Sequence, residues 1–223
     1  MKVVALMPMR HSSERVTGKN YRDFNGKPLF HYMARTILEC PEITQFVINT
    51  DSDEIANQCA TLFPDIKIVE RPSHLLGGEV AMTEILRHDA ELFPSDWYLQ
   101  VHSTSPLLLS STISDALTYL EKQIDKFDSL FSVTRLQTRL YGPEFKPLNH
   151  DPNVLLRTQD LPPIFEENSG IYIFTKNQIS NGKRFGDKPV LYEIDPIEAL
   201  DIDEEVDFLL AEAIHKLRKA GQI

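Results

Sequence analysis

Residues 1–28, MKVVALMPMRHSSERVTGKNYRDFNGKP, set a short apolar run ahead of a polar loop and a closing proline. Val3–Met7 reads as a buried strand. The loop behind it holds Arg10, Arg15, Lys19, Arg22 and Lys27 against only Glu14 and Asp23, in a chain of formal net charge −10. Ligands of open α/β sheets bind outside the carboxyl ends of the strands, so a cationic loop there suits a polyphosphate. A basic loop can also be a solvated surface and nothing more. Its place directly after the first strand favours the ligand.

The same alternation continues down the chain. Pro28–Cys40 has apolar residues at helical spacing and is closed by Pro41. Gln45–Thr50 is a β-rich run, and Asp51-Ser52-Asp53 after it marks a helix start with an acidic first turn, the helix running to about Phe63. Further strands are expected at Lys67–Glu70, Trp97–His102, Ser129–Thr134, Gly170–Thr175 and Val190–Ile194. Helices are expected at Ala81–Phe93, Ser110–Ile124 and Asp203–Ala220. Strands alternating with helices imply βαβ crossovers, hence a Rossmann-like, mainly parallel sheet flanked by helices on both faces. The rhythm breaks across 135–168, a segment rich in Pro, Asn and Arg with no helical period. Such insertions form lids, substrate loops or dimer arms. The 223 residues therefore read as a single domain with one insertion.

Composition narrows the classes. Hydrophobic residues at 42% suffice for a core, and charged residues at 25% are ordinary. No apolar stretch approaches the ~18–20 residues of a membrane span. The first apolar run is shorter than a signal peptide's h-region, roughly 7–15 residues. Cys40 and Cys59 lack metal-ligand spacing, so a reducing cytoplasm is expected. The acidic balance argues against nucleic acid as a partner.

A second charged cluster lies near the end. Glu193–Asp207 holds eight acidic residues and no basic one. In extended backbone, Asp201 and Asp203 point the same way and can reach one hard cation while Ile202 is buried. Asp203 can also be the N-cap of the final helix, with Glu204, Glu205 and Asp207 complementing its dipole, and the two roles are compatible, so Asp203 is expected to share in both. A cationic loop for phosphate oxygens together with a carboxylate pair for Mg²⁺ is the equipment of phosphoryl or nucleotidyl transfer. Neither a Walker P-loop nor G-x-G-x-x-G is present. No histidine pair has zinc spacing. His102-Ser103-Thr104-Ser105 lacks the serine-hydrolase elbow and is expected to end a strand and cap the helix near Ser110.

Pro8-x-Arg10-x-x-Ser13-x-Arg15-x-x-Gly18-Lys19-Asn20, followed by Asp23-Phe24-x-Gly26-Lys27-Pro28-Leu29, resembles the signature of the acylneuraminate cytidylyltransferases, the CMP-sialic acid synthetases, which are similar to the Kdo-activating enzymes. The likeness continues through Ser52-Asp53-Glu54-Ile55, Arg71-Pro72, Leu99-Gln100, Thr104-Ser105-Pro106-Leu107, Glu167-Asn168 and Asp201-Ile202-Asp203. It implies a homodimer of the nucleotide-diphospho-sugar transferase fold, with the 135–168 insertion as dimerisation arm. The implied partners are CTP and a 2-keto-3-deoxy sugar acid, with Mg²⁺ or Mn²⁺ as cofactor. Arg10, Lys19 and Asp203 are the implied catalytic residues. Met7, Pro8, Met9, Arg10, Ser12, Ser13, Lys19, Asn20, Arg71 and Gln100 would bind nucleotide. Gln100, by its family position, would read the sugar or base, and Asp201 and Asp203 would hold the metal. From residue type and place rather than from the resemblance, His102, Arg157 and Asn168 are further acceptor candidates, as is Tyr172, which strand alternation also reads as core. For Arg157, as for Arg139, a dimer-interface ion pair is an equal reading.

The departures from the family are local. His11-Ser12 stands where the family commonly has Gly-Gly, Glu14 replaces a basic residue, Gly78 an aspartate and His102 a proline. These changes suggest a divergent branch with its own sugar acid: a nonulosonic acid such as sialic, legionaminic or pseudaminic acid, or alternatively Kdo or another octulosonic acid. From a different class, a non-catalytic nucleotide-binding or regulatory protein would also explain the altered loop.

Overall fold

All four residues of β1 (Val3–Leu6) are buried, the mark of a strand covered on both faces. Val3 and Ala5 enter one core and Val4 and Leu6 another, as the two-residue strand period requires. A two-stranded hairpin follows, β2 (Asp23–Phe24) against β3 (Lys27–Pro28), then α1 (Phe30–Leu38) and β4 (Ile43–Thr50). The chain continues through α2 (Asp53–Leu62), β5 (Lys67–Glu70), α3 (Met82–Leu92), β6 (Trp97–Gln100) and α4 (Ser110–Glu121). It ends with β7 (Ser129–Leu136), β8 (Ile164–Thr175), α5 (Lys176–Ser180), β9 (Pro189–Glu193) and α6 (Glu205–Lys219). The computed structural model describes residues 1–223 and arranges seven strands in the order β5-β4-β1-β6-β8-β7-β9. Pairings are parallel except for β8, which runs antiparallel to both β6 and β7.

Three apolar clusters hold the layers. On one face α1, α2 and α4 place Phe30, Met33, Ile55, Cys59, Ile113 and Leu117 against Val3, Ala5, Ile48 and Leu99. On the other, Leu86 and Ala90 of α3 and Ile179 of α5 cover Val4, Leu6, Tyr98 and Phe174. Helices on both faces confirm the expected architecture. The third cluster matters most for function. Val16 from the loop after β1, Phe24 of β2 and Leu29 just after β3 pack on Leu107, Ile202, Phe208 and Ala211. Burying each large member contributes about 1.5–3 kcal/mol. That cluster docks the basic loop onto the acidic segment before α6.

Several boundaries differ from expectation for local reasons. Pro28 opens no helix: it pairs with Asp23 in the hairpin, and α1 begins at Phe30. Asp203 is not the cap of α6. Glu204 occupies that position in a reciprocal capping box with Asp207. The His102–Ser105 run does not cap α4, whose first free N–H, on Leu109, is taken by Glu198 Oε2 at 3.0 Å. The insertion is shorter than its composition suggests, because β7 reaches Leu136 and β8 starts at Ile164, and these two residues pair. The irregular part is therefore 137–163. Cys40 and Cys59 are free and buried, with burial raising both thiol pKa values to about 11. No helix is long and apolar enough to cross a membrane.

Candidate active site

A cleft of about 480 Å³ opens at the carboxyl ends of the central strands. One wall is the loop after β1, which contributes Pro8, Met9, Arg10, Ser12, Ser13, Glu14, Arg15, Lys19 and Asn20. Two anchors shape that loop. Gly18 sits at φ +62°, where a Cβ would stand 2.8 Å from the Tyr21 ring, so a side chain there would be strained and would push that ring aside. Asn20 donates from Nδ2 to the Arg10 carbonyl at 2.8 Å and accepts from Ser103 Oγ at 2.7 Å, tying the loop to the turn after β6. Arg10 makes no ion pair. Its Nη1 lies 3.5 Å from where a Cβ on Gly78 would be, so glycine in place of a carboxylate leaves this guanidinium free for a ligand.

Arg71, just past β5, closes one end of the cleft. Its Nε donates to Asn49 Oδ1 at 2.8 Å, and Nη2 donates to the carbonyls of Met9 and Asn49 at 3.0 Å. Asn49 is itself fixed by donating to the buried Asp89 at 2.6 Å. Burial raises the Asp89 pKa, and its second oxygen has no partner. Burial also lowers the pKa of Arg71, with Asp51 and Asp89 opposing.

Opposite the loop stand Asp201 and Asp203, flanking the fully buried Ile202. Asp201 is half-buried, its Oδ1 is enclosed without a hydrogen-bond partner, and its pKa is raised, chiefly by burial. Asp203 is exposed and takes Arg15 Nη2 at 2.8 Å, with Lys19 Nζ 3.7 Å away. Lys19 also donates to the Ile202 carbonyl at 2.5 Å. The cationic loop and the carboxylate pair thus meet across the cleft, Arg15 and Asp203 being 188 residues apart in sequence.

The end far from Arg71 is built by β6, β8 and the segment before β9. His102 follows β6 and lines the cleft. Burial, reinforced by the Arg184 and Lys19 cations, pushes its pKa down to about 4. Its Nε2 lies 2.9 Å from Gln100 Nε2, while Gln100 Oε1 accepts from Arg184 Nη1 at 3.4 Å. A β-bulge in β8 supplies the remaining wall. The register slips opposite Ser132, whose hydroxyl donates to Asn168 at 2.5 Å and accepts from the Ile171 N–H at 2.8 Å. Ser169 is left at φ +59° and faces the cleft. Bulges beside sites commonly re-aim side chains in this way. An adjoining cavity of about 400 Å³ shares Ser169, Asp201 and Asp203 and adds Thr134, Glu166, Glu167 and Asn168.

A family model described as cytidylyltransferase matches residues 4–220, almost the whole chain. The chain belongs to the cytidylyltransferase family. Among its relatives, an N-acylneuraminate cytidylyltransferase of Oncorhynchus mykiss is 28% identical over 94% of this chain and 49% of its own length. That of Escherichia coli O18:K1:H7 is 24% identical over 100% of this chain and 54% of its own. The chain therefore spans about half the length of these relatives. A CMP-N,N'-diacetyllegionaminic acid synthase of Legionella pneumophila is 28% identical with 100% of both chains covered. The structure of a CMP:2-keto-3-deoxy-manno-octonic acid synthetase complexed with CTP shares the fold, with a TM-score of 0.71 at 13% identity over 98% of this chain and 100% of that one.

Within this family fold, most residues singled out from the sequence converge. Pro8, Met9, Arg10, Ser12, Ser13, Lys19, Asn20, Arg71, His102, Asp201 and Asp203 line the cleft, and Asn168 lines the adjoining cavity. Others do not. Met7 is core, with its N–H bonded to Val47. Gln100 and Tyr172 are fully buried behind the wall, acting on the cleft only through His102 and Arg184. Arg157 is exposed on the insertion, paired with Asp160, and lines neither cavity of its own chain. His11 turns away onto Tyr21 and Ser52. The sequence reading missed Arg184 and Ser169 because they sit in an irregular segment and a bulge. A polar Asn49 directly after the apolar run Phe46–Ile48 of β4 is the one sequence signal for the support behind Arg71.

Proposed function

We propose that the chain transfers CMP from CTP to the anomeric hydroxyl of a 2-keto-3-deoxy sugar acid and releases pyrophosphate. The observation that carries this reading is the meeting of the Arg10–Lys19 loop with Asp201 and Asp203 in one cleft at the strand ends. The acceptor oxygen forms a bond to the α-phosphorus and the bond to the bridging β-phosphate oxygen breaks. The hydroxyl proton passes to solvent. Arg10, Lys19 and the N–H groups near Ser12 and Ser13 hold the triphosphate and stabilise the charge that gathers on pyrophosphate. Arg71 marks the nucleoside end. His102, Ser169 and the adjoining polar cavity mark the acceptor end.

The carboxylate pair fits Mg²⁺ or Mn²⁺. An enclosed, unpartnered Asp201 oxygen beside Asp203 is a hard donor set that lacks only substrate oxygens and water, the ligands Mg²⁺ prefers to keep. Bound there, the ion would neutralise phosphate charge and acidify the attacking hydroxyl. Residues 137–163 serve as a homodimer arm, because Phe145 and Leu155 are 86% and 91% exposed. The full-length match to the legionaminic acid synthase supports a nonulosonic acid over an octulosonic one. Cytoplasmic CTP is the nucleotide source this reading requires. Purified protein incubated with CTP, Mg²⁺ and a panel of sugar acids should release pyrophosphate with at least one nonulosonic acid. CTP binding without release for every acid would leave only a nucleotide-binding protein.

A further inference from the structure

Arg184 reaches the cleft as well as bonding Gln100 behind it. It lies between α5 and β9, lines the acceptor end of the cleft, and its side chain is 26% exposed. Its guanidinium stacks on the buried Tyr172 ring at 3.9 Å, which fixes its plane. The Tyr172 hydroxyl is held in turn by Glu167 and Ser169. Of the five N–H donors, one makes a 3.4 Å bond to Gln100 Oε1, and a second forms only a long, partly exposed ion pair with Glu167 at 3.7 Å. A planar cation that is oriented but barely bonded is prepared for a planar anion.

The same cation sets His102. Arg184 offers only donors, so Gln100 must turn Oε1 toward it and Nε2 toward His102. Gln100 then donates, His102 Nε2 accepts, and the ring proton resides on Nδ1. Nδ1 has no protein partner and is not among the enclosed unpartnered atoms. With the ring lining the cleft, that N–H is open to a ligand. The triphosphate already has Arg10 and Lys19 in the loop after β1. A single guanidinium near Glu167 matches a single negative charge better than a polyphosphate.

Resting on the cytidylyltransferase reading, we propose that Arg184 binds the acceptor's carboxylate as a bidentate pair while His102 Nδ1–H donates to an adjacent oxygen of the same acceptor. This Arg184–Gln100–His102 unit is the chain's acid-selecting subsite.

Kinetics with a sugar acid and its carboxamide test it, the two substrates being compared at saturating CTP. Wild type should prefer the acid by about 10- to 100-fold in kcat/KM, the range expected for charge-assisted hydrogen bonds. Arg184→Met should raise KM for the acid by a similar factor, erase the preference over the amide, and leave KM for CTP within about twofold. Arg184→Lys, which keeps the charge but not the fork, should fall between. His102→Pro should raise KM for both acceptors about equally. If the wild type turns over an acid and both Arg184 variants keep its selectivity, or lose CTP affinity instead, the subsite assignment is overturned. No turnover by wild type with any acid would overturn the parent reading itself.

Discussion

Acidification from pH 7 to pH 5 should destabilise the native protein by about 2 kcal/mol more than it destabilises His102→Gln. The sign follows from the direction of the shift. His102 falls from 6.5 when unfolded to about 4 when folded, mainly through burial, with Arg184 and Lys19 adding to it. The unfolded chain therefore takes up this proton first. The stability is fully present above pH 6.5 and is lost as pH drops toward 4. At pH 5 the linkage amounts to roughly 2 kcal/mol, against a few tenths at pH 7. Histidines 31 and 215 are also shifted down, chiefly by burial, but they contribute equally to both proteins and cancel in the comparison. Urea unfolding at the two pH values supplies the numbers through midpoint and slope. Equal losses in wild type and variant, within about 0.5 kcal/mol, would refute a neutral, desolvated His102 and the tautomer built on it.

Asp203→Asn should lower turnover at least about 100-fold and barely change the melting temperature, since its pairs with Arg15 and Lys19 are exposed on the acidic side; parallel kinetics and thermal melts check both. Asn49→Leu severs the bridge between Asp89 and Arg71. It should cost about 3 kcal/mol in urea unfolding and weaken CTP binding by calorimetry. Phe208→Ala empties the cluster that docks the basic loop on α6 and should cost about 3–5 kcal/mol, with activity falling alongside. Phe145→Ser with Leu155→Ser removes exposed apolar surface from the insertion. It should convert a dimer to a monomer in sedimentation, without loss of monomer stability.

Much of this could be read from the chain because period and charge are local signals. Val3–Leu6 is apolar at every position since both faces are covered, and Ser52 caps α2 with an ordinary side-chain bond to Ile55 N–H. Lys19 and Asp203 could be picked out by type, and the third cluster explains why they meet. What stayed hidden depends on tertiary packing. Nothing around Arg184 in the sequence marks the Tyr172 ring beneath it, and nothing in NSGIYIF announces a bulge that turns Ser169 into the cleft. Gln100, a ligand contact by family position, and Tyr172, which strand alternation also reads as core, both lie one layer behind the wall. Arg157 was read in isolation from Asp160, three residues on, which pairs with it.

The most direct test of the account uses CTP labelled separately at the α- and γ-phosphorus, with Mg²⁺ and a nonulosonic acid. The cleft predicts that α-label appears in a CMP–sugar ester while all γ-label leaves as pyrophosphate. Transfer of γ-label to the sugar, or α-label found only in CMP or CTP, would contradict it.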